Sequence, residues 1–153
     1  MSNLTVTSNR IVSMSVEDVE KVGAIQNEVL KLEQVKMATD HILHGGMYAR
    51  TIMIPAGVIL TGALIKVATV LIVSGDALVY REGKAHEIVG YNVIAASKHR
   101  KMAFVARSDT YLTMIFPSKA DSIAQAEEEF TDEAHILFSR ANDALNNITI
   151  TGE

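Results

Sequence analysis

At 153 residues, with 48% hydrophobic and 21% charged residues, the chain is long enough for one core and too apolar for disorder, so a single domain over 1–153 is expected. A formal charge of −4 without a dense Lys/Arg run excludes broad contact with a phosphate backbone, and nucleic acid is not an expected partner. The absence of cysteine excludes disulfides, thiolate metal centres and thiol nucleophiles.

The N-terminal stretch lacks the basic flank and unbroken apolar segment of a signal peptide. The longest apolar run, 52–65, is broken by Pro55, Gly57 and Gly62, so no membrane contact is expected and a cytoplasmic setting is the default. On that reading the sequons at Asn3 and Asn147 carry no weight.

In chain order, Ser15 with Glu17 and Asp18 marks a helix start. Val16, Val19, Val22, Val29, Leu32 and Val35 at helical spacing predict an amphipathic helix over 16–37, within an N-terminal helical segment 15–40. Short runs of Ile, Val, Thr and Tyr follow, predicting strands at 48–54, 58–65, 69–73, 76–81, 85–89, 92–95, 101–106 and 110–116. Pro55-Ala56-Gly57, Ser74-Gly75-Asp76, Glu82-Gly83-Lys84 and Gly90 supply the turns. Eight short strands over 44–117 suit a barrel or jelly roll. Residues 118–146 read as helical. Ser118 is the expected cap, Ala120, Ile123, Ala126 and Phe130 face inward, and Glu127, Glu128 and Glu129 form a solvated face. A second helix starts at Thr131-Asp132-Glu133 and carries Ala134, Leu137, Ala141 and Leu145. The tail NNITITGE is either a short edge strand or frayed.

The stretch HGGMYARTIMIPAGVILTGALIKVATVLIVSGDALVYREGK, 44–84, resembles the cupin family, and within it small cupin-domain proteins of phages and prophages. The lead-in HGGMYAR, the turn PAGVILTG and the closing Ser74-Gly75 carry the resemblance, with a looser match through SDTYLTMIFPS and AEEEFTDE. It implies a mainly β, cupin-like jelly-roll barrel with an N-terminal amphipathic helix and C-terminal helices, and pairing of barrels through a sheet into a homo-oligomer. Cupins usually hold a divalent metal with two histidines and a glutamate on one strand pair and a third histidine later. Aligned on the glycine turns, the first set falls at Ala63, Ile65, Ala68 and Thr69, and the later histidine position at His99 or Met102. Neither a metal nor another cofactor is therefore expected.

Other candidates are weighed residue by residue. His41 and His44 would share a face on a helix and suggest a ligand pair, against the simpler reading of a polar helix-to-strand connection. His86 lies in a hairpin and faces solvent. His99 and Arg100 in KHRK are either an anion-binding rim at the barrel mouth or a charged loop. Tyr48 and Arg50 share a strand face. Arg50 either clamps a carboxylate or phosphate, or pairs with an acidic residue of the rim or a neighbouring subunit. Lys66 is either a substitute for the lost metal charge or a hydrated strand end. Asp109 is a turn residue, and no G-x-S-x-G nucleophile elbow or phosphate-binding loop is present.

The reading that follows is a non-enzymatic, metal-free cupin-like phage or prophage accessory protein. It is expected to bind a small anionic or nucleotide-like ligand, or a host protein, with counter-defence in the host cytoplasm as a fitting role, through Tyr48, Arg50, Lys66, His99 and Arg100. Two other classes stand beside it: a virion structural or assembly protein, and a metal-dependent cupin enzyme whose site has moved to His41, His44, His86 or His99.

Overall fold

The computed structural model describes residues 9–153; the sequon at Asn3 and the start of the N-terminal stretch lie outside them. Strand β1 (Arg10–Ile11) and helix α1 (Val16–Val29) lead into strands β2 (Thr39–His44), β3 (Met47–Ile54), β4 (Ile59–Thr61), β5 (Thr69–Arg81), β6 (Lys84–Ala96), β7 (Ala103–Ala106) and β8 (Thr110–Pro117). Helix α2 (Ile123–Phe130), two 3-10 turns (Ala134–Ile136 and Phe138–Arg140) and strand β9 (Asn146–Ile150) complete the described chain. The strands run in the order β1-β6-β5-β8-β3-β2-β9, with β7 joining β4 to β5. The expected mainly β, jelly-roll-like architecture is what forms, with its sheet left open rather than closed. No helix among the described residues is long and apolar enough to cross a membrane.

The sheet is built by alternation. In β3, Tyr48, Arg50, Ile52 and Ile54 point inward and are buried, as are Leu71 and Val73 in β5 and Met114 and Phe116 in β8. The predicted strands 69–73 and 76–81 are one strand, because Ser74-Gly75-Asp76 bends the chain instead of reversing it. Before Gly75, β5 pairs with β8; after it, β5 pairs with β7. Gly75 has φ +150°, and a Cβ there would stand 2.8 Å from Thr110 Cα, so only glycine lets the two strands approach at the bend. Gly90, φ +81°, faces it across the ladder and merges 85–89 with 92–95 into β6 in the same way. Glu82-Gly83 is the tight reversal the sequence predicts, both residues at positive φ between paired Arg81 and Lys84.

Four further expectations are corrected. Helix α1 ends at Val29, not Met37: Val22 is its only fully buried residue, packed with Met14 and Ala103, and the Gln34 side chain donates to the carbonyls of Val29 and Leu32. Leu30, Leu32 and Val35 find no core to cover and stay exposed, while Met37 reaches the main core only after the helix has ended, so the apolar periodicity there buys no helical burial. The predicted strand 58–65 is shortened to β4, with Ile65 making an isolated bridge to Arg100. Ser122, rather than Ser118, caps α2, while Ser118 bonds Glu129. The second C-terminal helix does not form. Leu137 and Ala141 are extended, and Thr131 Oγ1 accepts from the Glu133 amide in a turn. The tail is strand β9, parallel to β2 from Thr39↔Asn146 to Leu43↔Ile150.

Candidate functional site

Two cationic centres flank the jelly-roll interior. The first is Arg50, 8% exposed. Its Nη1 donates to Glu127 Oε2 at 2.8 Å and to the Tyr48 hydroxyl at 3.2 Å, and its Nη2 donates to Ser139 Oγ at 2.9 Å. The guanidinium also lies over the Phe130 ring, 5.4 Å from its centroid. Arg140 Nε donates to the other oxygen of Glu127 at 2.9 Å, and Ser139 donates to Glu127 as well. Burial alone would raise the Glu127 pKa, but the hydrogen bonds from Ser139, Arg140 and Arg50 hold it below the usual glutamate value. Arg50 therefore takes the acidic-partner role and not the free anion clamp, and the acid it pairs with comes from α2.

The expectation of a solvated Glu127–Glu129 face is thereby overturned for Glu127, which is 2% exposed. The spacing contained the signal: Ile123, Glu127 and Phe130 lie four and three residues apart, on the same helical face as the apolar residues.

The network continues through Tyr48 to His41, which is buried on β2. Asn146 Nδ2 donates to the Ser139 carbonyl, so its Oδ1 faces His41 and accepts from Nε2–H at 2.7 Å. His41 Nδ1 then accepts from the Tyr48 hydroxyl at 2.7 Å. Burial lowers the His41 pKa, with Arg50 adding to the shift and the Asn146 bond opposing it, so the neutral ring is the resident form. His41 and His44 are not a ligand pair. They sit in a strand, where a spacing of three sends them to opposite faces, and His44 bonds Thr151 at the surface.

The second cation is Arg100, 2% exposed. The charged-loop reading fails for it: the side chain turns inward, Nη1 donates to the carbonyls of Ser97 (2.7 Å), Val67 (3.3 Å) and Ala96 (3.5 Å), and Nη2 donates to Thr69 Oγ1 (2.6 Å). Among the described residues no carboxylate pairs with it and its Nε–H and second Nη2–H meet no acceptor. Burial alone pushes its pKa down to about 10. Its neighbour Lys101, also buried, does have an anion, Glu133, at 3.2 Å.

Arg50 and Arg100 both line one cavity of about 130 Å³, whose walls are otherwise largely apolar, including Ala63, Ile65, Met102, Phe104 and Met114. Of the positions that the cupin resemblance assigns to metal ligands, Ala63, Ile65 and Met102 thus line a cavity that holds a guanidinium and Thr69 bonds it, whereas Ala68 is exposed. Ala63, Ile65 and Met102 offer no hard donor, and the Thr69 hydroxyl is engaged by Arg100. These residues do not fit a divalent ion, and the Arg100 charge would oppose one. Among the described residues no three His, Asp or Glu side chains converge as a metal-binding group.

The remaining candidates lie apart from the cavity. Lys66 is exposed and pairs with Asp132 at 2.6 Å. His99, φ +62°, sits in a loop where its backbone bonds Ile65 and Met14. His86 is half-buried and its Nε2 is enclosed without a partner, so it does not face solvent as expected. Asp109 accepts from the Ala56 amide at 2.9 Å, a turn role. The five candidates therefore separate: Arg50, with Tyr48 bonded to it, and Arg100 share the cavity, whereas Lys66 and His99 lie outside it.

No family model matches the chain, and no curated protein does. Solved structures similar to it include a cupin superfamily protein from Desulfitobacterium hafniense (11% identity over 60% of this chain and 87% of that one, TM-score 0.44). A cupin-2 domain protein from Shewanella frigidimarina is similar at 11% identity over 65% and 98%, TM-score 0.43. The cupin domain of an XRE-family transcriptional regulator from Enterobacter cloacae is similar at 12% identity over 54% and 99%, TM-score 0.43.

Proposed function

We propose that this protein works by binding and not by catalysis, holding a small anion inside the jelly roll with Arg100 as the resident cation. The observation that carries this reading is a buried guanidinium with no carboxylate partner at the wall of an apolar cavity. Burying a charge without a counter-charge is costly, and a bound anion would recover that cost. The polar side chains of the cavity wall are two guanidinium groups, Thr61 and Gln26, which form no acid–base or nucleophile–base pair. Arg50 contributes less to holding the anion, since Glu127 already neutralises it. The phage or prophage setting and a counter-defence role belong to the same proposal and rest on the sequence resemblance alone.

The test is titration of the purified protein with acetate, benzoate, phosphate and AMP, preceded by native mass spectrometry for any retained ligand. At least one of these anions is expected to bind. Arg100→Met should weaken it by about ten- to a hundredfold, the worth of one desolvated charge-assisted contact. Arg100→Lys keeps the charge and controls for lost packing. Unchanged affinity in a folded Arg100→Met variant would sink the proposal.

A further inference from the structure

The cavity beside Arg100 adjoins a surface groove of about 510 Å³, and the two share Gln26, Leu60, Thr61, Ile136 and Phe138 in their linings. None of these shared residues is charged. The groove collects exposed apolar side chains that the fold leaves unburied: Leu30, Leu32, Val35, Ile59, Ile136 and Leu145, each 40–61% exposed. Its charged lining residues are Glu33, Lys36 and Asp143, and Lys36 and Asp143 neutralise each other at 2.9 Å. Within one stretch of surface and interior there is thus an uncompensated buried cation, an apolar chamber and an apolar exit.

Resting on the anion-binding reading above, we infer that the ligand is a straight-chain fatty carboxylate, its head paired with Arg100 and its tail leaving past Gln26 and Phe138 into the groove. A carboxylate matches the head site because two donors of Arg100 are unused, one for each oxygen. A phosphate would bring further charge against Met102, Met114 and Phe104. A nucleotide would place a polar sugar and base where the wall offers aliphatic and aromatic carbon. A second copy of the chain laid in the groove would cover the leucines but leave Arg100 uncompensated, whereas one amphipathic anion satisfies both.

The experiment is calorimetric titration of wild-type protein with butanoate, octanoate and dodecanoate below their micelle concentrations, with dodecanol and benzoate as controls. Affinity is expected to rise by up to roughly fourfold per buried methylene, which corresponds to about 0.8 kcal/mol. Dodecanol should bind at least about tenfold more weakly than dodecanoate, the loss expected for one charge-assisted contact. The comparison needs no variant and cannot be confounded by misfolding. A Leu32→Asp/Ile59→Asp variant should flatten the series between octanoate and dodecanoate without changing its mass in light scattering. Benzoate binding with no dependence on chain length would overturn this inference and leave the anion reading intact. No binding by any carboxylate or by phosphate would overturn both. Dodecanol as tight as dodecanoate would remove Arg100 from recognition, and a drop in assembly with unchanged dodecanoate affinity would give the groove to a second copy; either result overturns the inference.

Discussion

Glu127 holds two guanidinium groups at once, and its removal strands one of them. In Glu127→Gln, Arg50 stays buried without a counter-charge, and breaking such a pair costs on the order of 3–5 kcal/mol. Urea unfolding monitored by circular dichroism checks this. The double variant Arg50→Met/Glu127→Leu should cost less than the sum of its singles, because it leaves no orphaned charge. The carboxyl is held below its ordinary pKa, so its contribution is present above the unfolded value and is lost as pH falls through the folded one. Stability should decline below about pH 4.5, and the decline should be shallower in Glu127→Gln. Arg100 differs because its charge is carried by backbone carbonyls and a hydroxyl alone, and dipoles compensate a cation less than a carboxylate does.

His41 joins three elements: it lies on β2, accepts from the Tyr48 hydroxyl on β3 and donates to Asn146 Oδ1 of β9. Protonation at Nδ1 would set two donors against each other at the Tyr48 hydroxyl and add a charge near Arg50; Glu127 and Asp40 oppose this only from further off. Because the folded pKa is lowered, this contribution is intact above the unfolded value near 6.5 and fades as pH drops below it. Hydrogen exchange of the β9 amides should therefore accelerate between about pH 7 and 5.5 beyond the intrinsic trend. His41→Gln should remove most of that pH dependence, and an unchanged profile would show that the ring does not control β9. The alternating runs made β3, β5 and β8 legible in the sequence, and glycine marked the joints. What alternation could not show was whether a glycine reverses a strand or bends it, as Gly75 does. Nor could helical periodicity reveal that Leu30, Leu32 and Val35 have nothing to pack against. The candidate site was half legible. Arg50 and Arg100 stood out as cations, but their partners lie 77 residues away on α2 for one, and in loop carbonyls for the other.

For the molecule as a whole, the outer face of the large sheet exposes large apolar side chains: Ile42, Val70, Tyr91, Val93 and Tyr111 are all 45–70% exposed there. Self-association through this face is the expectation. Light scattering should give a multiple of 16.6 kDa, and a Val93→Asp/Tyr111→Asp variant should fall to a single chain. A wild-type protein of 16.6 kDa across micromolar concentrations would refute self-association. The parallel pairing of β2 with β9 carries a different kind of consequence. Thr39 meets Asn146, a partner made more than a hundred residues later, so during synthesis β2 must wait with one edge bare while the ribosome adds the rest of the sheet. Loop closure of that length is slow and a bare edge recruits other strands. The interval between residue 44 and residue 150 is then the period of greatest exposure to aggregation, and a nascent chain stalled within it is the form of this protein with most to gain from a chaperone.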